Sequence, residues 1–388
     1  MEIGGVIMSK ILIFGDICPD NNFRYLFDRK AVLSSVIIED IKKADLTVAN
    51  LECPATNNTI PIVKTGPNIK ALPKDISFLK EIGFDVLSLA NNHILDYGED
   101  GLKETLYECT KNDVKFFGAG DNKLEAKKLL IVDVNGCKVG FLGYAEEEFN
   151  LAEENLAGAN HFDPYESLDE IKDARLNVDC LIVLYHGGVE YYRYPSPILQ
   201  KKCRKIVEKG ADLVLVQHSH CIGTFEYING STIIYGQGNS IFGYNEKNIS
   251  WNEGLLVEFS PECKEVNYRL LKATPNGIQY ADKYQNEQRM LQFKKESLML
   301  SNMDFIYQSW HQFSDGMKSL HLPSLYGKNK LFIHFNRLLN NKLMNVFYSK
   351  YQKMVTLELL RCEAHHEVIK TIFEQELKGY IKCLRSRL

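Results

Sequence analysis

The sequence predicts an α/β domain over residues 9–275 followed by a basic, mostly helical extension over 276–388. Three observations carry this reading. Five short apolar runs each end abruptly in residues able to bind a metal, and segments with helical spacing separate several of them. Two Asn-Gly pairs sit between apolar runs, as in tight hairpins. After Pro275 the apolar residues fall at helical spacing, as in Val368, Ile369, Ile372, Phe373, Leu377, Tyr380, Ile381 and Leu384.

The elements follow in chain order. Ile11–Phe14 runs into Gly15-Asp16, and Leu46–Ala49 into Asn50-Leu51-Glu52. Ile76, Leu79 and Ile82 recur at three-residue spacing behind Pro73, which suits a helix's first turn because its missing N–H costs nothing there. Gly83 ends that helix. Val86–Ala90 then runs into Asn91-Asn92-His93, with a helix expected over 100–110. Asn135-Gly136 joins Leu129–Val134 to Val139–Leu142. Leu181–Tyr185 runs into His186, with a helix expected over 197–210, and Leu213–Val216 runs into Gln217-His218-Ser219-His220. Asn229-Gly230 joins Thr224–Ile228 to Thr232–Tyr235. Open α/β sheets build sites at the carboxyl ends of their strands, so the five endings are expected to meet at one sheet edge.

Composition narrows the function class. The net charge of -4 argues against a general nucleic-acid-binding surface. That charge is uneven: residues 282–388 hold 17 Lys+Arg against 10 Asp+Glu, leaving the remainder acidic. From Gly316 to Leu357 there is no acidic residue, while Lys318, Lys328, Lys330, Arg337, Lys342, Lys350 and Lys353 interleave with aromatic residues. Two readings suit this stretch: a packed helical extension with its ammonium groups in water, or a contact surface for an anionic membrane face or an acidic polymer, which would also allow contact with a polymer synthase. Ten cysteines without a CxxC pair suggest reduced thiols rather than a disulfide framework. No apolar run reaches membrane-spanning length. The expected location is cytoplasmic, peripheral to the inner face of the membrane in the second reading.

Taken singly, a strand-end Asp or Asn is a turn former or a helix cap, and His186 a hydrogen-bonded core histidine. Taken together, Asp16, Glu52, Asn92, His186, His218 and His220 make a set of oxygen and imidazole donors suited to Zn, Fe or Mn. In an extended segment, His218 and His220 would share one face. Glu52 is the candidate for a carboxylate bridging two ions. His93 is placed to protonate a leaving group, with Asp96 to orient it. Lys64, Lys70 and Arg193 lie near the motifs and are candidates to hold an anionic substrate, against a solvent-exposed structural role.

Six segments now define a pattern: Gly15-Asp16; Asn50-Leu51-Glu52; Ala90-Asn91-Asn92-His93-Ile94-Leu95-Asp96-Tyr97-Gly98; His186-Gly187-Gly188-Val189-Glu190-Tyr191; Gln217-His218-Ser219-His220; and Tyr235-Gly236-Gln237-Gly238-Asn239-Ser240-Ile241-Phe242. In this order, over about residues 10–245, the chain resembles the CapA family of poly-γ-glutamate capsule synthesis proteins, within the calcineurin-like metallophosphoesterase superfamily. The resemblance implies a four-layer α-β-β-α sandwich with a site for two divalent ions at one end. It implies Asp16, Glu52, Asn92, His186, His218 and His220 as ligands, His93 as the acid, and Tyr191 and Asn239 as site lining. Two departures stand out. Cys18 occupies a position where the wider superfamily has a second histidine, and Gln217 and Ser219 flank His218 where Ser219 replaces a more usual proline. The implied function is a metal-dependent hydrolase of phosphoester type acting on a capsule or envelope precursor, an anionic small molecule or polymer. Alternatives are metal-assisted cleavage or transfer at an amide of an acidic polymer, and a non-catalytic assembly factor of a polymer synthase.

Overall fold

The computed structural model describes residues 2–3, 6–19, 23–327, 330–339, 342–362 and 364–373. The five strands that end in polar residues are β1 (Ile11–Ile17), β2 (Leu46–Leu51), β3 (Val86–Ser88), β4 (Cys180–His186) and β5 (Leu213–Gln217). They do not share one sheet, as their common pattern suggested. β1, β2 and β3 run parallel inside an eight-stranded sheet, and β4 and β5 run parallel inside a six-stranded one. Their continuous apolar sequences reflect burial on both faces.

The two sheets pack face to face. Ile11, Ile13, Val48 and Val86 from one meet Phe141, Ile182, Leu184, Leu213 and Leu215 from the other in a single buried cluster. On the far side of the larger sheet, Ile76 and Leu79 of helix α1 (Pro73–Ile82) and Leu102 of helix α2 (Gly98–Lys111) pack on Leu12, Phe14, Ala49 and Leu87. On the far side of the smaller sheet, Cys203 and Ile206 of helix α3 (Pro197–Glu208) pack on Leu181, Val183 and Val214. The layer order is therefore α-β-β-α, with the odd and even residues of each central strand feeding different layers.

The local signals hold. Pro73 stands in the first turn of α1, and Gly83 closes it at φ +106°, a conformation that favours glycine. Asn135-Gly136 and Asn229-Gly230 both adopt positive φ and join antiparallel pairs, as type I′ turns do. Gly15 allows a close approach inside β1: a Cβ there would lie 2.5 Å from the Gly238 carbonyl oxygen. The pairing of β1 with β2 shifts register between Ile13 and Asp16, at this glycine, and so presents Asp16 beside Asn50.

The chain forms two compact units, Met1–Gln308 and Ser309–Leu388. Helix α4 (Lys283–Ser297), expected in the extension, belongs to the first unit. Its polar composition hides one apolar anchor, the fully buried Phe293, whose ring lies 4.8 Å from Phe225 and 5.4 Å from Tyr268. In the second unit Tyr326 stacks on Tyr348 at 3.7 Å, and Asn336 accepts the Met344 amide. Val368, Ile369, Ile372 and Phe373 are helical, while Leu377, Tyr380, Ile381 and Leu384 lie outside the described residues. Among the described residues no helix is long and apolar enough to cross a membrane.

Candidate metal centre

The carboxyl ends of the five strands converge across the two sheets. Asp16 is buried; its Oδ1 accepts Asn50 Nδ2 at 2.8 Å and its Oδ2 accepts the His218 amide at 3.1 Å. Glu52 is fully buried, and neither of its carboxylate oxygens has a hydrogen-bond partner. His186 Nε2 lies 3.0 Å from Asn92 Oδ1 and 3.4 Å from Glu52 Oε1, while its Nδ1 lies 3.3 Å from Asn50 Nδ2. His220 Nε2 lies 3.9 Å from Glu52 Oε1, and its Nδ1 is held by Asn239 Oδ1 at 2.8 Å. His218 Nδ1 is buried with no partner.

His218 and His220 reach this place in a way that strand alternation does not describe. β5 ends at Gln217, and both histidines adopt left-handed backbone, with φ +90° and +49°. Such strain persists only where surroundings over-determine it. Here the His218 amide is bound by Asp16 and the Ser219 carbonyl accepts the Tyr191 amide at 2.8 Å. The turn sends the two rings toward different partners, 6.1 Å apart between centroids.

The donors fall into two groups. Glu52, His186 and His218 offer ligand atoms all within 4.8 Å of one another, and so do Asp16, Glu52 and His220. Glu52 is common to both. Burial pushes its carboxyl up to about 8, aided by the negative charges of Glu190 and Glu148. Burial likewise raises Asp16 to about 7, with Glu52 adding repulsion. The imidazoles move the other way: burial lowers His186, His218 and His220, the last to about 4. Neutral imidazoles with available lone pairs, beside carboxylates that burial keeps from ionising alone, are the complement of a divalent cation. The bare oxygens of Glu52 and the bare Nδ1 of His218 are costly to bury otherwise. The residues therefore fit a metal.

The remaining expected residues divide. His93 is mostly buried, and its Nδ1 meets Asp96 Oδ2 at 2.7 Å, as expected for an oriented histidine. Tyr191, at φ +61°, is half-exposed with its ring 6.4 Å from His220 and 6.5 Å from Trp251. Asn239 does not present its amide to a ligand: Oδ1 fixes His220 and Nδ2 donates to the Trp251 carbonyl. Arg193 is spent on the Ile222 carbonyl and the Ser250 hydroxyl, which tie down the turn after His220. Lys64 is buried rather than exposed, paired with Asp96 beside His93. Lys70 donates to the Asn58 carbonyl over the Tyr97 ring. Cys18 lies in the apolar layer with Phe14 and Phe242. Gln217 is buried against Gln237.

Sequence reasoning missed four contributors. Asn50 braces Asp16 and His186 together; its place beside Glu52 in the second motif was the available signal. Asn91 binds the Leu51 carbonyl and Asn50, and its position beside Asn92 signalled it. Glu190 lies inside the fourth motif, and burial together with Glu148 raises its carboxyl. Glu148 accepts from Asn92 Nδ2 at 3.2 Å and carries no local signal within the run Glu146-Glu147-Glu148.

Comparison with known proteins gives the family of the chain. The "Capsule biosynthesis protein CapA" of Bacillus anthracis is 31% identical over 248 residues, which cover 62% of this chain and 59% of that one. The "PGA biosynthesis protein CapA" of Bacillus subtilis (strain 168) is 31% identical over 210 residues, covering 53% and 55%. The chain thus spans under two thirds of the length of either relative. Among solved structures, a 5'-nucleotidase from Candida albicans SC5314 is similar with a TM-score of 0.39 and 11% identity, over 78% of this chain and 57% of that one. At that distance the layer order rests on the two sheets themselves. Residues 10–244 match the sequence model described as "Bacterial capsule synthesis protein PGA_cap". That is more than half of the chain, and it contains every donor of the metal centre: the chain belongs to the bacterial capsule synthesis protein family PGA_cap.

Proposed function

We propose that this chain is a metal-dependent phosphoesterase that acts on a precursor of a capsule or related envelope polymer. The observation that carries it is the Glu52 carboxylate, buried, without a hydrogen-bond donor, within reach of the His186 and His220 imidazoles and shared by two donor groups. Asp16, Glu52 and His220 would hold one divalent ion and Glu52, His186 and His218 another, with Asn92 Oδ1 beside His186 as a further donor. Held by these residues, a pair of such ions, of which Mn²⁺ suits the mixed oxygen and imidazole set, would supply Lewis-acid charge for the phosphoryl oxygens and for activating a water.

The chain's own groups complete the chemistry. Asn50 keeps Asp16 and His186 at fixed separation, and Asn239, by holding His220 Nδ1, leaves Nε2 on the side of Glu52. His93, held through Nδ1, keeps Nε2 for the leaving oxygen, to which it delivers a proton as the ester bond breaks. Glu148 and Glu190 put negative charge at the centre, which disfavours a polyanionic chain relative to a precursor with a single phosphoester group. The names of the relatives support the capsule assignment, since both are described by capsule or PGA biosynthesis.

Mn²⁺-loaded protein is expected to hydrolyse 4-nitrophenyl phosphate, and His218→Ala to lower kcat by about 10²-fold or more. A folded sample that takes up no transition metal, measured by elemental analysis, ends this reading.

The extension supports a peripheral role. Leu331, Phe335, Leu338, Val346, Phe347 and Tyr351 are exposed among Lys330, Arg337, Lys342 and Lys350, a composition suited to an anionic lipid surface. The full chain is expected to co-sediment with vesicles containing phosphatidylserine at low salt and to be released at high salt. Equal binding at both, or none, removes the electrostatic role.

A further inference from the structure

Asp96 is the hub of a segment that has no regular secondary structure. Residues 57–70 loop out between β2 and α1, and much of the loop is open to water: Ile60 is 60% exposed and Val63 57%. Yet its inner side is gathered on one residue. The Asp96 carbonyl accepts the Ile62 amide at 2.9 Å and Asn68 Nδ2 at 3.4 Å, and Asp96 Oδ2 accepts the Ile69 amide at 2.8 Å. Lys64 turns inward from the middle of this exposed stretch. Its side chain is 2% exposed, its ammonium pairs with Asp96 Oδ1, and it stands 3.1 Å from His93 Nδ1.

A buried ammonium is expensive unless paired, and Asp96 Oδ1 has no hydrogen-bond donor besides this ion-pair partner. Each charge therefore requires the other. Asp96 Oδ2 meanwhile accepts a hydrogen bond from His93 Nδ1–H: a carboxylate only accepts, and at 2.7 Å this is the shorter of that nitrogen's two contacts, the Lys64 ammonium standing at 3.1 Å. We propose that Lys64 is a positioning residue for the acid: by pairing with Asp96 it pins the 57–70 segment over the His93–Asp96 pair and holds the imidazole with Nε2 toward the substrate. The part that concerns reaction rests on the phosphoesterase reading above; the anchoring of the segment does not.

The role resolves into two measurements on the Mn²⁺-loaded full chain. Lys64→Met keeps the aliphatic stem and removes the charge. Hydrogen exchange across 57–70 is expected to quicken by about tenfold or more in Lys64→Met, with the rest of the domain unchanged, and to return toward the native rate in Lys64→Arg. Hydrolysis is compared on phenyl phosphate, whose leaving group needs a proton, and 4-nitrophenyl phosphate, whose leaving group needs it less. Lys64→Met is expected to lower kcat by about 10²-fold on the first ester and far less on the second, with KM little changed. His93→Asn is expected to show the same pattern, and the double variant no further loss. Equal losses on both esters, or additive losses in the double variant, overturn the positioning role. Native exchange rates in Lys64→Met overturn the anchoring. If the unsubstituted protein hydrolyses neither ester, the phosphoesterase reading falls, and the exchange result alone decides whether Lys64 is the anchor.

Discussion

Glu52→Gln is expected to stabilise the metal-free protein at pH 8 while abolishing tight metal binding at both donor groups. The two effects have one cause. The Glu52 carboxyl, pushed up to about 8, forfeits by burial the ionisation that an unfolded chain would enjoy at that pH. An amide of the same shape has no charge to forfeit. It still leaves polar atoms unpaired, so the net gain is on the order of 1–3 kcal/mol, or several degrees in Tm. The same substitution removes the carboxylate common to Asp16–Glu52–His220 and Glu52–His186–His218. Metal at 100 times its Kd stabilises the native protein by about 2.7 kcal/mol, and that increment disappears in the variant. Thermal melts with and without Mn²⁺, together with a metal count, test both halves. A variant that still binds two ions shows that Glu52 is not the shared ligand.

The second large effect is in pH. His186, His218 and His220 have lowered values, so the stability they contribute is present above their ordinary 6.5 and is lost as pH falls, for His220 through about 4. Asp16 and Glu52 are raised, so their contribution is fully present below the ordinary carboxylate range and is lost as pH rises through about 7 and 8. Below 6.5 the two sets oppose each other. Between about 6.5 and 8 only the carboxyls act, and the metal-free protein is expected to lose Tm steadily. Divalent metal displaces those two protons, so its affinity rises over the same window and the melting curve of the loaded protein turns upward relative to the metal-free one. Calorimetry at several pH values, with proton release measured on metal addition, checks the sign. Parallel Tm profiles for the loaded and metal-free forms would contradict it.

Much of this centre was legible in the sequence because donors at strand ends leave a local mark. Asp16, Glu52, Asn92, His186, His218 and His220 each follow an apolar run, and each arrives at the junction of the sheets. The hairpins at Asn135-Gly136 and Asn229-Gly230 were legible for the same reason, since positive φ is a property of one or two residues. Partnership was not legible. Arg193 and Lys64 looked alike as cations near motifs, yet one caps the Ile222 carbonyl and the other is buried on Asp96. Asn239 looked like lining and proved to be the brace of His220. Helix α4 looked like extension because it follows Pro275 in a helix-like, basic stretch, while Phe293, with Asn286, Arg289 and Ser297 bonded to Leu270, Ile222 and Phe225, roots it in the first unit.

By itself the sequence determined which donor-type residues the chain carries and in what order: oxygen and imidazole side chains after apolar runs, a histidine three residues before an aspartate, and the turns that return the strands. These follow from residue type and from periods of two or 3.6, which are properties of short segments. Only the tertiary structure decided that three endings come from one sheet and two from another, that Glu52 belongs to both donor groups, and that Lys64 faces inward. Sheet pairing, the register shift at Gly15 and the left-handed turn at His218 and His220 set those relations. Each depends on contacts between residues tens to hundreds of positions apart, where burial and charge are settled by whichever partner the fold brings near.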